Sequence, residues 1–285
     1  MNAAKKLLVL AASALVALPL SACVNQEAAQ PGGGGGEGGG GDESVTIGIK
    51  FDQPGLGLRE GENYTGFDVE VAKYVAGELG YGEDQITFVE SPSAQRETLL
   101  SSGQVDMIFA TYSITDTRKE QVSFAGPYII AGQDLLVRAD DSSITGPDSL
   151  EGKKLCSVTG STPAEKVKEE YPDVELQEYP NYSACVQALS TNGVDAVTTD
   201  NTILAGFAAQ PQYEGQLKVV GTTFSEERYG VGIPKGDVEL CEQVNTALTK
   251  MVDSGEWQTA IDETLGASGF QVDTSVNPPE FDTCA

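Results

Sequence analysis

Twelve residues of this chain occur almost twice. Residues 100–111 read LSSGQVDMIFAT and residues 189–200 read LSTNGVDAVTTD. Each passage joins a helix end and a glycine stop to a Val-Asp pair that opens a strand. Counting five from the shared aspartate, Asp106 leads to Thr111 and Asp195 leads to Asp200. Both polar residues are expected where a strand emerges from a core, and in open α/β sheets ligands sit outside the carboxyl ends of the strands. The repeat therefore predicts two similar lobes whose ligand-side edges face each other. The competing reading, that glycine followed by Val-Asp is common sheet chemistry, stays open from sequence alone.

The surrounding periodicity fits two lobes. Val45–Ile49 reads as a strand and is followed by the turn-rich DQPGLG. Apolar positions at Val69, Val71, Ala72, Val75, Ala76 and Leu79 predict an amphipathic helix over 66–80, stopped by Gly80. A strand over 86–89, a helix over 93–102 and a strand over 105–110 follow. Residues 150–225 repeat the plan: a strand at Lys154–Val158, a helix over TPAEKVKEEY, a strand over 174–178, a helix over 182–191 and a strand over 194–198. This alternation predicts α/β architecture with largely parallel sheets. Residues 231–234 and a helix over 237–253 read as a return to the first lobe, with chain crossings near 132–138 and 221–230. The expected division is 44–134 plus 229–285 for the first lobe and 135–228 for the second.

The formal charge is −26, with 43 acids against 17 bases and no histidine. Such a surface repels nucleic acid and anionic headgroups. The missing histidine excludes a His-dependent triad or a His-ligated zinc site, and neither metal nor cofactor is expected. The N-terminus reads as an export signal over 1–22, with Lys5 and Lys6 ahead of an apolar stretch at 7–20 that is short for a bilayer span. Leu20-Ser21-Ala22-Cys23 looks like a lipobox that would lipidate Cys23, the alternative being ordinary cleavage beside an incidental cysteine. Residues 23–43 contain PGGGGGEGGGG and read as a flexible tether. Four further cysteines in an exported chain suggest two disulfides with three possible pairings. Cys156–Cys185 and Cys241–Cys284 are favoured because each pair lies within one sequence region, and metal ligation is the weaker reading.

Arg118 follows Thr115, which can cap a short helix. The helix N-terminus and the two-pronged guanidinium suit a carboxylate, with Thr111 and Ser113 as further hydroxyl donors. The bland alternative pairs Arg118 with Asp116 or Glu120 on the surface. Thr162-Pro163-Ala164-Glu165 signals another helix start, with Thr162 as the cap. Ahead of it the loop Thr159-Gly160-Ser161 can present donors to an anion, although the P-loop pattern is absent. Asp200 supplies the opposite charge and suits an ammonium. Arginine on one lobe and aspartate on the other would together recognise an α-amino acid.

GFDVEVAKYVA at 66–76, SITDTR at 113–118 and KFDQPGLGL at 50–58 resemble the motifs of family 3 extracellular solute-binding proteins, which serve polar amino acid ABC transporters. The resemblance spans 44–270 and is similar in particular to actinobacterial glutamate-binding lipoproteins. It implies a two-lobe, periplasmic-binding-protein-like type II fold with two hinge crossings. By position it implies that Arg118, Thr111 and Ser113 hold an α-carboxylate with backbone donors near Thr159 and Thr162, and that Asp200 holds the ammonium. Lys50, Arg96 and Ser93 would meet a distal carboxylate, with Tyr182 a further side-chain contact. The alternative for Arg96 is a surface residue paired with Glu97 or Glu90. The implied partners are L-glutamate and an ABC permease. The expected protein is a monomer on the extracellular face of the cell membrane, held there by its lipid anchor only. Competing expectations are aspartate, glutamine or another polar amino acid as ligand, a dehydratase-like enzyme on the same scaffold, or a sensor reporting to a membrane kinase.

Overall fold

The computed structural model describes residues 44–285, so the export segment, the expected lipidation at Cys23 and the glycine-rich tether lie outside the described residues. The first sheet takes β1 (Val45–Ile49) as a largely buried interior strand. After it come a three-stranded meander, β2 (Asp52–Gln53), β3 (Gly57–Glu60) and β4 (Asn63–Thr65), and helix α1 (Phe67–Glu78). Next are β5 (Ile86–Glu90), α2 (Arg96–Ser101), β6 (Met107–Phe109), the four-residue α3 (Asp116–Lys119) and β7 (Ser123–Ala131). The second sheet is built from β8 (Gln133–Arg138), β9 (Lys154–Val158), α4 (Thr162–Glu170), β10 (Glu175–Tyr179), α5 (Tyr182–Ser190), β11 (Ala196–Asp200), α6 (Asn201–Ala208) and β12 (Leu217–Val219). The chain then returns through β13 (Glu227–Ile233), α7 (Val238–Asp253) and α8 (Glu256–Thr264).

Strand order is β5-β1-β6-β13-β7 in one sheet and β10-β9-β11-β8-β12 in the other. The central strands pair in parallel, β1 with β5 and β6, and β9 with β10 and β11. The remaining pairs are antiparallel. The sheets are therefore mixed rather than largely parallel. The reversed strands are β8 and β13, at the chain's passage into the second lobe and at its return. Neither follows a helical crossover, so neither is held to the direction of its sheet.

The sequence repeat has a physical basis. The Asp106 carboxylate accepts the Thr46 N–H at 2.7 Å while its own N–H donates to the Thr46 carbonyl. Asp195 makes the same pair of bonds with Lys154. Each aspartate thus locks the start of its strand to the strand beside it. The helix stop also repeats: Gly103 and Asn192, both three residues before the aspartate, adopt left-handed φ of 67° and 62°. The second stop is Asn192 rather than the neighbouring Gly193, since asparagine tolerates that conformation.

Helix α1 buries Phe67, Val69, Val71, Ala72, Val75 and Ala76 beneath the first sheet, and α7 and α8 pack beside it. Disulfide Cys156–Cys185 pins β9 to α5, and Cys241–Cys284 pins α7 to the C-terminal segment. The crossings touch each other. Phe224 N–H donates to Gln133 O at 2.9 Å, and a Cβ on Gly132 would stand 2.8 Å from the Thr223 Cβ. The two sheet layers also meet across a cleft. A Cβ on Gly206 of α6 would stand 2.0 Å from the Pro54 carbonyl oxygen, and one on Gly160 would stand 2.8 Å from the Ala94 Cα.

Each disulfide closes a long loop, of 29 and 43 residues' separation, so its loss frees the unfolded chain substantially. Replacing Cys241 and Cys284 together by serine is expected to cost about 2–4 kcal/mol. The check is a lower urea midpoint in equilibrium unfolding, with the m-value recorded to detect any change in the unfolded state.

Candidate functional site

Three strands of the first sheet deliver polar residues at their carboxyl ends. Lys50 follows β1, Ser91 and Ser93 follow β5, and Ala110 and Thr111 follow β6. Lys50 is 5% exposed and donates from Nζ to Ser93 Oγ at 2.8 Å. Burial first, and then the Arg96 charge, lower its ammonium to about 7 from an ordinary 10.5. Arg96 is 2% exposed, donates from Nη1 to the carbonyls of Ala110 (3.1 Å) and Thr111 (3.4 Å), and leaves Nε without a partner. Burial and then the Arg118 charge lower it to about 10. Neither Glu90 nor Glu97 forms an ion pair with Arg96 among the described residues.

Thr115 caps α3 as expected, its Oγ1 accepting the Arg118 N–H at 3.2 Å. That turn buries Arg118, which donates from Nη1 to Ser113 O at 2.8 Å and from Nη2 across the cleft to Gly160 O at 3.1 Å. Its ion-pair partner is Glu97, with Nε 3.5 Å from Oε1, rather than Asp116 or Glu120. Both guanidiniums lie against the Tyr112 ring, Arg96 at 4.1 Å and Arg118 at 5.0 Å from its centroid, where the π face attracts cations. Tyr112 in turn donates its hydroxyl to Glu97 at 2.7 Å. Room for the ring comes from Gly232, where a Cβ would stand 2.7 Å from Tyr112 Cε1.

Thr111 holds a φ of 46°, a left-handed conformation that costs a β-branched residue energy. Buried Asp68, at the first turn of α1, fixes it by accepting the Thr111 N–H at 2.9 Å and the Tyr128 hydroxyl at 2.8 Å. Burial pushes the Asp68 carboxyl up to about 6 against those two bonds. The Thr111 hydroxyl donates to Ala110 O at 2.7 Å, so its proton is committed inside the chain.

The opposite wall comes from the second sheet. Helix α4 is capped by Ser161, whose Oγ accepts the Ala164 N–H at 3.2 Å. Thr162, expected as the cap, is instead the first helical residue, with Pro163 second. This one-residue shift frees the Thr162 hydroxyl to approach Ser113 Oγ at 3.1 Å across the cleft. Thr159 is exposed and donates its N–H to Tyr179 O, so it does not offer that group to the cleft. Tyr182 opens α5, buried, its phenol raised to about 12 by burial and then by the Asp200 charge. Asp200 ends β11 and is 2% exposed. Its Oδ2 accepts the Tyr229 hydroxyl at 2.6 Å, while Oδ1 has no partner among the described residues. Burial and then the Glu227 charge hold its carboxyl well above the usual range, opposed by the Tyr229 bond, Arg118 and Arg96. The Arg118 charge thus reaches Asp200 from the other wall.

At the mouth between these walls opens a cavity of about 640 Å³, lined by Ser93, Glu97, Arg118, Gly160, Thr162 and Glu227 among others. Lys50, Arg96, Tyr182 and Asp200 are not among its lining residues and lie buried behind it. Glu227, Tyr229, Tyr112 and Asp68 were not legible as site residues in the sequence. Their decisive partners are ones that local spacing does not reveal, such as Thr111 for Asp68, Asp200 for Tyr229 and Ser113 for Glu227. Chemically, the site places three buried cations on one side, a buried carboxylate with an open oxygen on the other, and hydroxyls between.

The family model of bacterial extracellular solute-binding proteins, family 3, matches residues 45–267. The glutamate-binding protein GluB of Corynebacterium efficiens is 48% identical over 266 residues, covering 90% of this chain and 88% of that protein. Its namesake from Corynebacterium glutamicum is 47% identical over 276 residues, covering 93% and 92%. Among solved structures, an ancestral arginine-binding protein bound to arginine is 33% identical with a TM-score of 0.73, covering 78% of this chain and 98% of that one.

Lys50 carries a stability cost whose sign can be stated. Its folded ammonium titrates near 7 and its unfolded one near 10.5, so the unfolded chain holds more protons between those values. The cost is fully present below pH 7 and fades as pH rises through that window. Lys50→Met is expected to stabilise the free protein by on the order of 2–4 kcal/mol at pH 6 and by less at pH 9.5. Paired thermal melts at the two pH values check this.

Proposed function

The chain belongs to the bacterial extracellular solute-binding proteins of family 3, and from that premise we propose that it captures L-glutamate between its lobes and delivers it to the permease of an ABC transporter. The observation that supports this reading is the buried set Lys50, Arg96 and Arg118 on one wall and, on the other, buried Asp200, whose Oδ1 has no hydrogen-bond partner among the described residues. In the proposed complex Arg118 holds the α-carboxylate. The N–H groups of Ser113 and Thr162, which make no hydrogen bond within the described chain, assist it. Asp200 takes the α-ammonium. Lys50 and the free Nε of Arg96, with Ser93, meet the side-chain carboxylate, and Tyr182 borders it.

Glutamate suits this site because it removes charge imbalance at both ends. Glutamine would leave a buried ammonium or guanidinium without an anion, at a cost of several kcal/mol. The names of the Corynebacterium relatives support the choice of ligand. Closure follows a hinge at the two adjoining crossings. Outside the described residues, a lipidated Cys23 and the tether 24–43 would hold the protein at the membrane's outer face.

The test is calorimetric titration with glutamate, aspartate, glutamine and asparagine. Glutamate is expected to bind most tightly, and absence of binding by both glutamate and aspartate would falsify the assignment. Arg118→Ala and Asp200→Asn are each expected to weaken glutamate by about a hundredfold or more. Arg96→Ala should hurt glutamate about tenfold more than glutamine, since only glutamate gives the guanidinium an anion. A bound carboxylate restores the charged form of Lys50, so binding takes up a proton above pH 7. Glutamate affinity should then fall as pH rises past about 7, whereas glutamine affinity should not. Titrations in buffers of different ionisation enthalpy measure that proton directly.

A further inference from the structure

Glu227 begins β13 in the second crossing and is 5% exposed. Three hydroxyls serve it in place of a cation. Its Oε2 accepts from Ser113 Oγ at 2.6 Å and from Thr162 Oγ1 at 2.9 Å, and its Oε1 accepts from Ser225 Oγ at 2.9 Å. One donor comes from the first wall, one from the second and one from the crossing itself. Strand alternation puts Glu227 on the same face as Tyr229, which bonds Asp200.

A hydroxyl has one proton to give. Ser113 and Thr162 have both given theirs to Glu227, and their oxygens stand 3.1 Å apart. Toward the cavity they can offer lone pairs only. The sequence expectation that the Ser113 hydroxyl donates to a carboxylate is thereby reversed. With the open Asp200 Oδ1, this end of the site gathers acceptors and negative charge. An ammonium, with three donors and a positive charge, satisfies them. A carbonyl oxygen at the same place meets lone pairs alone.

We propose that Glu227 is a positioning residue for specificity: by holding the Ser113 and Thr162 protons it makes both hydroxyls acceptors, so the site takes a 2-amino acid and rejects the 2-oxo acid bearing the same carboxylates. This rests on the glutamate reading above. The natural comparison is L-glutamate against 2-oxoglutarate, which differ at that one group.

The wild-type protein is expected to prefer glutamate by roughly ten-thousand-fold, as sites built around a substrate's N–H do. Glu227→Gln replaces one acceptor oxygen by a donor amide and releases a hydroxyl proton. It should weaken glutamate at least about tenfold while leaving 2-oxoglutarate unchanged or tighter, so the discrimination ratio falls. Thr162→Val, which deletes one of the two acceptors and leaves the carboxylate in place, should lower the same ratio by less, and it carries the test should Glu227→Gln fail to fold. Glu227→Asp should recover part of the ratio. An unchanged ratio in folded variants would mean a purely structural role and overturn the proposal. Tighter glutamate binding by Glu227→Gln would also overturn it, since the carboxylate would then be occupying the ligand's own seat. The two failures are distinguishable: if the wild type binds no dicarboxylic amino acid, the glutamate reading falls and this one with it.

Discussion

Lys50 and Arg96 are buried in one wall of a cleft with no carboxylate within ion-pair distance among the described residues. Taking such charges out of water costs several kcal/mol each unless an opposite charge or a full set of hydrogen bonds answers them. The fold supplies only part of the answer. Lys50 has one hydroxyl, Arg96 has two carbonyls and an aromatic face, and its Nε has nothing. On the facing wall the Asp200 carboxylate is also incompletely served. Neither side neutralises the other because each rides on a different sheet. The imbalance is therefore a property of the architecture, and a molecule with two anionic ends and one cationic centre is the object that cancels it.

The architecture puts charges there by a simple device used twice. A strand starts beside its neighbour through an aspartate that accepts one N–H and returns another bond, Asp106 with Thr46 and Asp195 with Lys154. That lock fixes the register, so the residue five positions on always falls at the carboxyl end of the strand. In one lobe it is Thr111, held in a left-handed conformation by Asp68. In the other it is Asp200. The shared scaffold sets position, and the residue type sets the chemistry presented there.

What could be read from the sequence follows this division. Strand and helix identity, the repeat, Arg118 with its Thr115 cap and the placement of Asp200 depend on local spacing and were legible. The parallel-sheet expectation failed at the crossing strands, whose direction is decided by tertiary passage between lobes. The α4 cap moved from Thr162 to Ser161 because two neighbouring hydroxyl residues offer the same local signal, and only the cleft decides which one is needed elsewhere. Thr159 dropped out of the cleft because its N–H completes a bond to Tyr179 beside the strands. Glu227 was invisible for a different reason. Its three donors lie 114, 65 and 2 positions away, and a glutamate beginning a strand announces nothing by itself.

Closure needs a driving force, and the contacts across the cleft say where it can come from. Gly206 against Pro54 and Gly160 against Ala94 bring backbone close to backbone, where a side chain would hold the walls apart. The Asp52 carboxylate accepts the Ser183 N–H at 3.0 Å and its hydroxyl at 3.2 Å, bonds that water offers equally well when the walls are apart. Such contacts permit approach and add little net attraction. A ligand can shift a conformational equilibrium only by its differential affinity for the two states. In the proposed complex that difference comes from a molecule that would touch Arg118 on one wall and Asp200 on the other. The hydroxyl pair under Glu227 also exists only when Ser113 and Thr162 meet, so the proposed recognition of the ligand's cationic centre would be coupled to approach of the walls.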